Sequence, residues 1–227
     1  MKKTAAYGVH LLTATGAALG VWAVVLVYDG FYQQAIWVLA ASALIDSIDG
    51  TLARAADTKK NAAEIDGGLM DNIIDYVTWT LAPMLWIYAT MHLPVWVLGI
   101  CAMASAFGFS NTEAKTDDHF FRGFPSYWNI VVFYIFLLNI PVGYASAIML
   151  MFALVTFLPV KFLYPSRTDY LQTLTLVLGT IYMLQLIGLM YYFDKSPALL
   201  IYSSFIFPFY YFGLSFYMNI KLAETSD

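Results

Sequence analysis

Residues 33–54 read QQAIWVLAASALIDSIDGTLAR. The stretch is apolar as far as Ile45 and then carries Asp46, Asp49 and Arg54 with no proline to end it. On a helix, positions 46, 49, 50 and 53 are i, i+3, i+4 and i+7, so the two carboxylates share a face with Gly50 and Ala53. Twelve residues later, 67–75 reads GGLMDNIID. Positions 67, 71 and 75 are i, i+4 and i+8, again one face. A hydrophobic helix that turns acidic on one side hides that side from lipid, because ionisable groups in a bilayer face protein or a water-filled cavity. Two such helices side by side would present four carboxylates to each other.

The rest of the chain fits a membrane setting. Of 227 residues, 61% are hydrophobic and only 11% charged, far below the roughly 25% charge of a soluble domain. Charge-poor stretches at 8–28, 33–45, 67–90, 94–109, 123–160, 171–193 and after Pro197 to 220 mark spans. The 123–160 stretch is too long for one span and divides at Pro141 and Gly143. Pro83 predicts a kink in the third. The expected architecture is all-α: a polytopic membrane protein of about eight transmembrane helices, forming a single domain over 1–227.

Met1-Lys2-Lys3 before an apolar run reads as a cytoplasmic start and first span, not a cleaved signal, since more hydrophobic segments follow. With eight spans, Lys2, Lys3, Arg54, Lys59, Lys60, Lys115, Arg122, Lys161, Arg167 and Lys221 fall on one side and only Lys195 on the other. The positive-inside rule makes the first side, with both termini, cytoplasmic. Net charge is −4 and no strongly basic surface exists, which argues against nucleic acid as a partner. Cys101 is the only cysteine, so no internal disulfide and no cysteine metal site can form. His10, His92 and His119 are isolated and lack metal-ligand spacing.

Asp46, Asp49, Asp71 and Asp75 in a low-dielectric site need protons or cations to relieve their repulsion. Oxygen-only ligands suit Mg²⁺, Mn²⁺ or Ca²⁺. Two such ions would balance four aspartates and form the paired clamp used in displacement at phosphorus. Gly50, Ala53 and Gly67 leave a notch beside the carboxylates, and Arg54 brings a planar fork for phosphate. Plainer readings are close helix packing by the small residues, Asp66 as a helix cap and a proton relay. A transporter would spread its carboxylates through the membrane depth, whereas these cluster at one end.

The pattern Asp46-x2-Asp49-Gly50-x2-Ala53-Arg54…Gly67-x3-Asp71-x3-Asp75 resembles the motif of the CDP-alcohol phosphatidyltransferases. Eight specified residues match by chance on the order of 10⁻¹⁰ per starting point. The twelve-residue gap from Arg54 to Gly67 exceeds the family's usual one. Together with 9–14 (VHLLTA), 121–129 (FRGFPSYWN) and 159–162 (PVKF), the pattern is similar to the bacterial phosphatidylcholine synthase branch.

The resemblance implies transfer of the phosphatidyl group from CDP-diacylglycerol to choline with release of CMP, at the cytoplasmic face of a bacterial inner membrane. It implies that Asp46, Asp49 and Asp71 bind Mn²⁺ or Mg²⁺, with Asp75 as general base and further ligand. Gly50, Ala53, Arg54 and Gly67 would line the CDP site, and the protein would be a homodimer. For choline's cation, aromatic faces near the carboxylates are Tyr76, Trp79, Tyr127 and Trp128. Lys115 and Arg122 are candidates for the lipid diphosphate. Serine or glycerol 3-phosphate is the alternative acceptor, and a carboxylate-lined ion or proton-coupled transporter the alternative outside this class.

Overall fold

The computed structural model describes residues 2–114, 116, 120–165, 168 and 170–224. It is mostly helical. Four helical segments are long and apolar enough to cross a membrane: α1 (Lys2–Tyr28), α2 (Tyr32–Ala56), the segment Gln172–Lys195 built on α9 (Gln172–Tyr192), and Ala198–Lys221. The last is made of α10 (Ala198–Ser204) and α11 (Ile206–Glu224). Shorter apolar helices are α6 (Val95–Ser110), α7 (Trp128–Leu137) and α8 (Val142–Val155). Large apolar side chains such as Trp22, Met103 and Leu184 stand exposed on these rods. A bilayer covers such surface, which water would not tolerate in contiguous patches. The protein is a polytopic membrane protein.

The chain divides into two compact units, Met1–Ala102 with Tyr127–Phe136, and Met103–Ser126 with Leu137–Asp227. In the first, α1 packs along α2 and against the rod that follows Asp66. The buried face of α1 is a stripe of Ala6, His10, Thr13, Gly16, Gly20, Ala23 and Val27, spaced three and four apart. Small residues there let backbones approach, as in other membrane helix pairs. A Cβ at Gly16 would lie 2.8 Å from Ile74 Cγ2, and one at Gly20 2.8 Å from Val77 Cγ1. Trp86 closes the other end of this unit, its indole Nε1 donating to the Tyr32 carbonyl at 2.9 Å and its ring packed on Phe133 and Phe136.

The third predicted span is a rod in three parts: α4 (Gly67–Asp75), a π-helix at Tyr76–Leu81, and α5 (Ala82–Met91). The expected kink at Pro83 is thus a local widening. Pro83 stands at the start of α5; its ring crowds the preceding turn and it has no N–H to give. Asp66 caps α4, its side chain accepting from Leu69 N at 3.0 Å. The helix expected through Asp46, Asp49, Gly50 and Ala53 is present. Helix α2 continues to Ala56 and closes on Asp57 in the left-handed region (φ 48°). The long gap after Arg54 holds this cap and a one-turn helix, α3 (Thr58–Asn61).

In the second unit the expectation of helices alone is corrected. Strands β1 (Phe120–Arg122) and β2 (Lys161–Leu163) pair antiparallel with Phe121 opposite Phe162. Two stretches far apart in sequence are therefore neighbours. Helix α11 occupies the free side of β2: Asn219 takes the Lys161 N–H and donates to its carbonyl, and Ser215 Oγ accepts from Leu163 N. Pairing of this kind satisfies the edge groups that a lone ribbon would leave open. Gly123 follows β1 at φ 81°, and a Cβ there would fall 2.3 Å from the Thr156 carbonyl oxygen.

Candidate active site

The acidic halves of α2 and α4 face each other within the first unit. Carboxylate oxygens of Asp46, Asp49 and Asp71 all lie within 4.8 Å of one another. They line a shallow cleft with Thr13 and Gly16 of α1, Ser42 and Ile45 of α2, and Ile74 and Asp75 of α4. Asp75 shares the cleft but stands outside the tight group of three. Asp49 is buried; Asp46, Asp71 and Asp75 are half-buried. Two full negative charges 4.8 Å apart repel by about 3 kcal/mol even at an effective dielectric of about 20. A cation at the centre turns that repulsion into ligation, and an all-carboxylate donor set suits a hard divalent ion.

Helix α1 supplies residues that sequence spacing missed. Thr13 Oγ1 donates to Asp49 Oδ2 at 2.8 Å, a buried bond that holds this carboxylate in place. The imidazole of His10, one turn away, is 6% exposed, and its Nε2 has no hydrogen-bond partner among the described residues. The ring rests on Gly67, where a Cβ would be 2.9 Å from His10 Cε1. The signal available was the three-residue spacing of His10 and Thr13 in a span otherwise nearly free of polar groups.

Because α2 and α4 approach each other from opposite ends of the motif, the cleft has an order. Gly50 and Ala53 prolong the Asp46–Asp49 stripe toward the charged end of α2, and Gly67 stands one turn before Asp71 on α4. Ser42 and Asp75 lie at the other end of the carboxylates. Arg54 is exposed and folds back over Gly50: its Nη1 would be 3.5 Å from a Cβ there, and its Nη2 donates to Thr51 Oγ1 at 2.8 Å. Arg54 thus hangs beside the notch that the small residues leave.

The four aromatic candidates separate. Trp79 and Tyr127 come together, ring centroids 5.9 Å apart and inclined by 58°. Tyr76 donates its hydroxyl to the Ala102 carbonyl at 3.3 Å. Trp128 is 0% exposed and belongs to the core. Of the two cationic candidates, Lys115 lies outside the described residues. Arg122 is in the second unit, where its Nη1 meets Glu113 Oε2 at 2.6 Å. His119, Asp117 and Asp118 also lie outside the described residues.

Comparison with known proteins points the same way. The CDP-alcohol phosphatidyltransferase family model matches residues 9–159. A phosphatidylcholine synthase of Legionella pneumophila is 41% identical over 172 residues, covering 74% of this chain and 68% of the relative. One of Legionella bozemanae is 38% identical over 160 residues, 68% of this chain and 74% of the relative. One of Rhizobium meliloti is 34% identical over 197 residues, 85% of this chain and 82% of the relative.

Proposed function

Because the chain belongs to the CDP-alcohol phosphatidyltransferase family, we propose that it is an integral-membrane enzyme that moves the phosphatidyl group of CDP-diacylglycerol to choline, forming phosphatidylcholine and CMP. The observation that carries the reading is the convergence of Asp46, Asp49 and Asp71 beside Asp75 in one cleft, on the two helices that hold the family's motif. The relatives, all described as phosphatidylcholine synthases, support choline as acceptor over serine or glycerol 3-phosphate.

The donor set fits Mn²⁺ or Mg²⁺, and Asp46, Asp49 and Asp71 are the residues to hold it, with Asp75 able to ligate a second ion. Bound there, the metal supplies positive charge for the diphosphate and the departing CMP. Gly50, Ala53 and Gly67 admit the nucleotide close to the helix backbones, and Arg54 binds a phosphate with its fork. Asp75 accepts the proton of the choline hydroxyl as that oxygen attacks the phosphorus bearing diacylglycerol. The new P–O bond forms in line with the one that breaks, and CMP leaves with the electron pair. Thr13 keeps Asp49 oriented throughout. Lys115 and Arg122 are assigned to the lipid diphosphate on charge alone.

The setting we infer is a bacterial inner membrane crossed by about eight helices, with both termini and the active site on the cytoplasmic side. The chain works as one phosphatidyltransferase domain and pairs as a homodimer. The deciding experiment supplies purified protein with CDP-diacylglycerol, Mn²⁺ and labelled choline or serine, and measures CMP. Choline-dependent release that a chelator abolishes, and that Asp75→Asn lowers by about 10²–10⁴, is expected. Release with serine alone would overturn the acceptor, and activity surviving both chelation and Asp75→Asn would overturn the mechanism.

A further inference from the structure

The π-helix after Asp75 has an identifiable cause and leaves an unexplained atom. In a π-helix each N–H reaches back five residues, and Ala82 N–H does donate to the Val77 carbonyl. The next bond in the series would run from residue 83 to the Thr78 carbonyl, and residue 83 is proline. Asn129, at the start of α7, fills the gap: its Nδ2 donates to Thr78 O at 3.1 Å. That bond fixes which way the amide points. Its Oδ1 is buried and has no hydrogen-bond partner among the described residues, although buried polar atoms nearly always find one.

The same clamp sets an aromatic pair. Trp79 follows Thr78 and Tyr127 precedes Asn129 by two residues, so holding Asn129 on Thr78 also holds the two half-buried rings together, 5.9 Å apart. Trp79 is four residues beyond Asp75, as Asp75 is beyond Asp71, so it continues the carboxylate stripe one turn deeper. One turn rises about 5 Å, a span that choline's two-carbon arm and methylated head can bridge. A quaternary ammonium has no N–H to donate. What recognises it is an aromatic face together with a partially negative oxygen, and the Trp79–Tyr127 pair and the Asn129 amide lie on the two segments that the Thr78–Asn129 bond joins.

Resting on the phosphatidyltransferase reading above, we propose that Trp79, Tyr127 and the Asn129 side-chain oxygen Oδ1 seat the quaternary ammonium of the acceptor, while Asn129 Nδ2 caps the Thr78 carbonyl that Pro83 leaves without an N–H. Asn129 then determines acceptor specificity as well as closing a helix defect, and the two roles separate by mutation. Pro83→Ala restores an N–H at residue 83 and makes the Asn129 cap redundant.

The test uses the full chain in lipid nanodiscs with CDP-diacylglycerol and Mn²⁺, following CMP release. Asn129→Ala raises the choline KM about tenfold over wild type, and by a similar factor over Pro83→Ala when made in that background, with the KM for CDP-diacylglycerol unchanged. A double variant whose choline KM equals that of Pro83→Ala alone would reduce Asn129 to a cap and overturn the proposal. With choline competing against its uncharged isostere 3,3-dimethylbutan-1-ol, Trp79→Leu flattens the wild-type preference for the cation. Trp79→Phe retains most of it, which also guards against misfolding as the explanation. An unchanged preference in Trp79→Leu overturns the seat. If the wild-type protein releases no CMP in response to choline, the underlying function fails first, a result distinct from these.

Discussion

A single hydroxyl on α1 orients the most buried carboxylate of the cluster. Thr13 donates to Asp49 Oδ2 at 2.8 Å, and Asp49 is only 6% exposed. Groups that orient a ligand from behind are worth about 10- to 100-fold in metal affinity. Thr13→Val therefore weakens Mn²⁺ binding by that range, read as a shift in the Mn²⁺ concentration for half-maximal CMP release and in Mn²⁺ titration by electron paramagnetic resonance; Thr13→Ser restores it. Gly67 offers a second test. A Cβ there comes within 2.9 Å of His10 Cε1, so Gly67→Ala pushes the ring and closes the notch. Adding His10→Ala recovers part of the lost affinity for CDP-diacylglycerol, a coupling of about 0.5–3 kcal/mol for groups in contact. Non-additive CDP-diacylglycerol KM values in this cycle are the expected outcome. The four aspartates were legible because helical spacing alone puts them on shared faces. Thr13 and His10 were not, because nothing in a lone threonine's sequence says which neighbouring helix its hydroxyl meets.

At the scale of elements, the site depends on α1 lying close to the α4 rod, and glycine makes that closeness possible. Gly16 leaves room for Ile74 Cγ2, where a Cβ would sit at 2.8 Å. Overpacking a tight contact costs about 1–3 kcal/mol, so Gly16→Ala lowers the melting temperature in detergent, and Ile74→Ala in the same chain restores it in part. Helix boundaries followed apolar runs well where the run ended in a turn, as at Tyr28. Beyond Ile45 the apolar run ends, but the helix expected through Ala53 continues and closes only at Asp57. The π turn was hidden for a different reason: one extra residue in a turn barely alters apolar periodicity, and its partner, Asn129, is distant in sequence. The β1–β2 ribbon escaped because three-residue strands are too short to show alternation.

At the scale of the molecule, the placement of charge gives the proposed orientation of the site a direct test. All Lys and Arg except Lys195 fall on the side of the acidic motif in an eight-span arrangement. Positive charge near short loops is retained in the cytoplasm, which in the proposed arrangement is the side from which a nucleotide-bearing lipid would reach the enzyme. Chemical labelling tests this orientation cleanly, because Cys101 is the only cysteine and is 0% exposed. Replacing it with alanine removes a small side chain from a helix interior and leaves a background for single reporters. Asp194→Cys, in the turn between the last two long segments, then reacts with a membrane-impermeant maleimide in intact spheroplasts. Lys59→Cys, on α3 beside the motif, reacts only after lysis. The reverse pattern would turn the acidic cleft toward the outside of the cell, where CDP-diacylglycerol made in the cytoplasm does not present its nucleotide, and the proposed reaction would lose its donor.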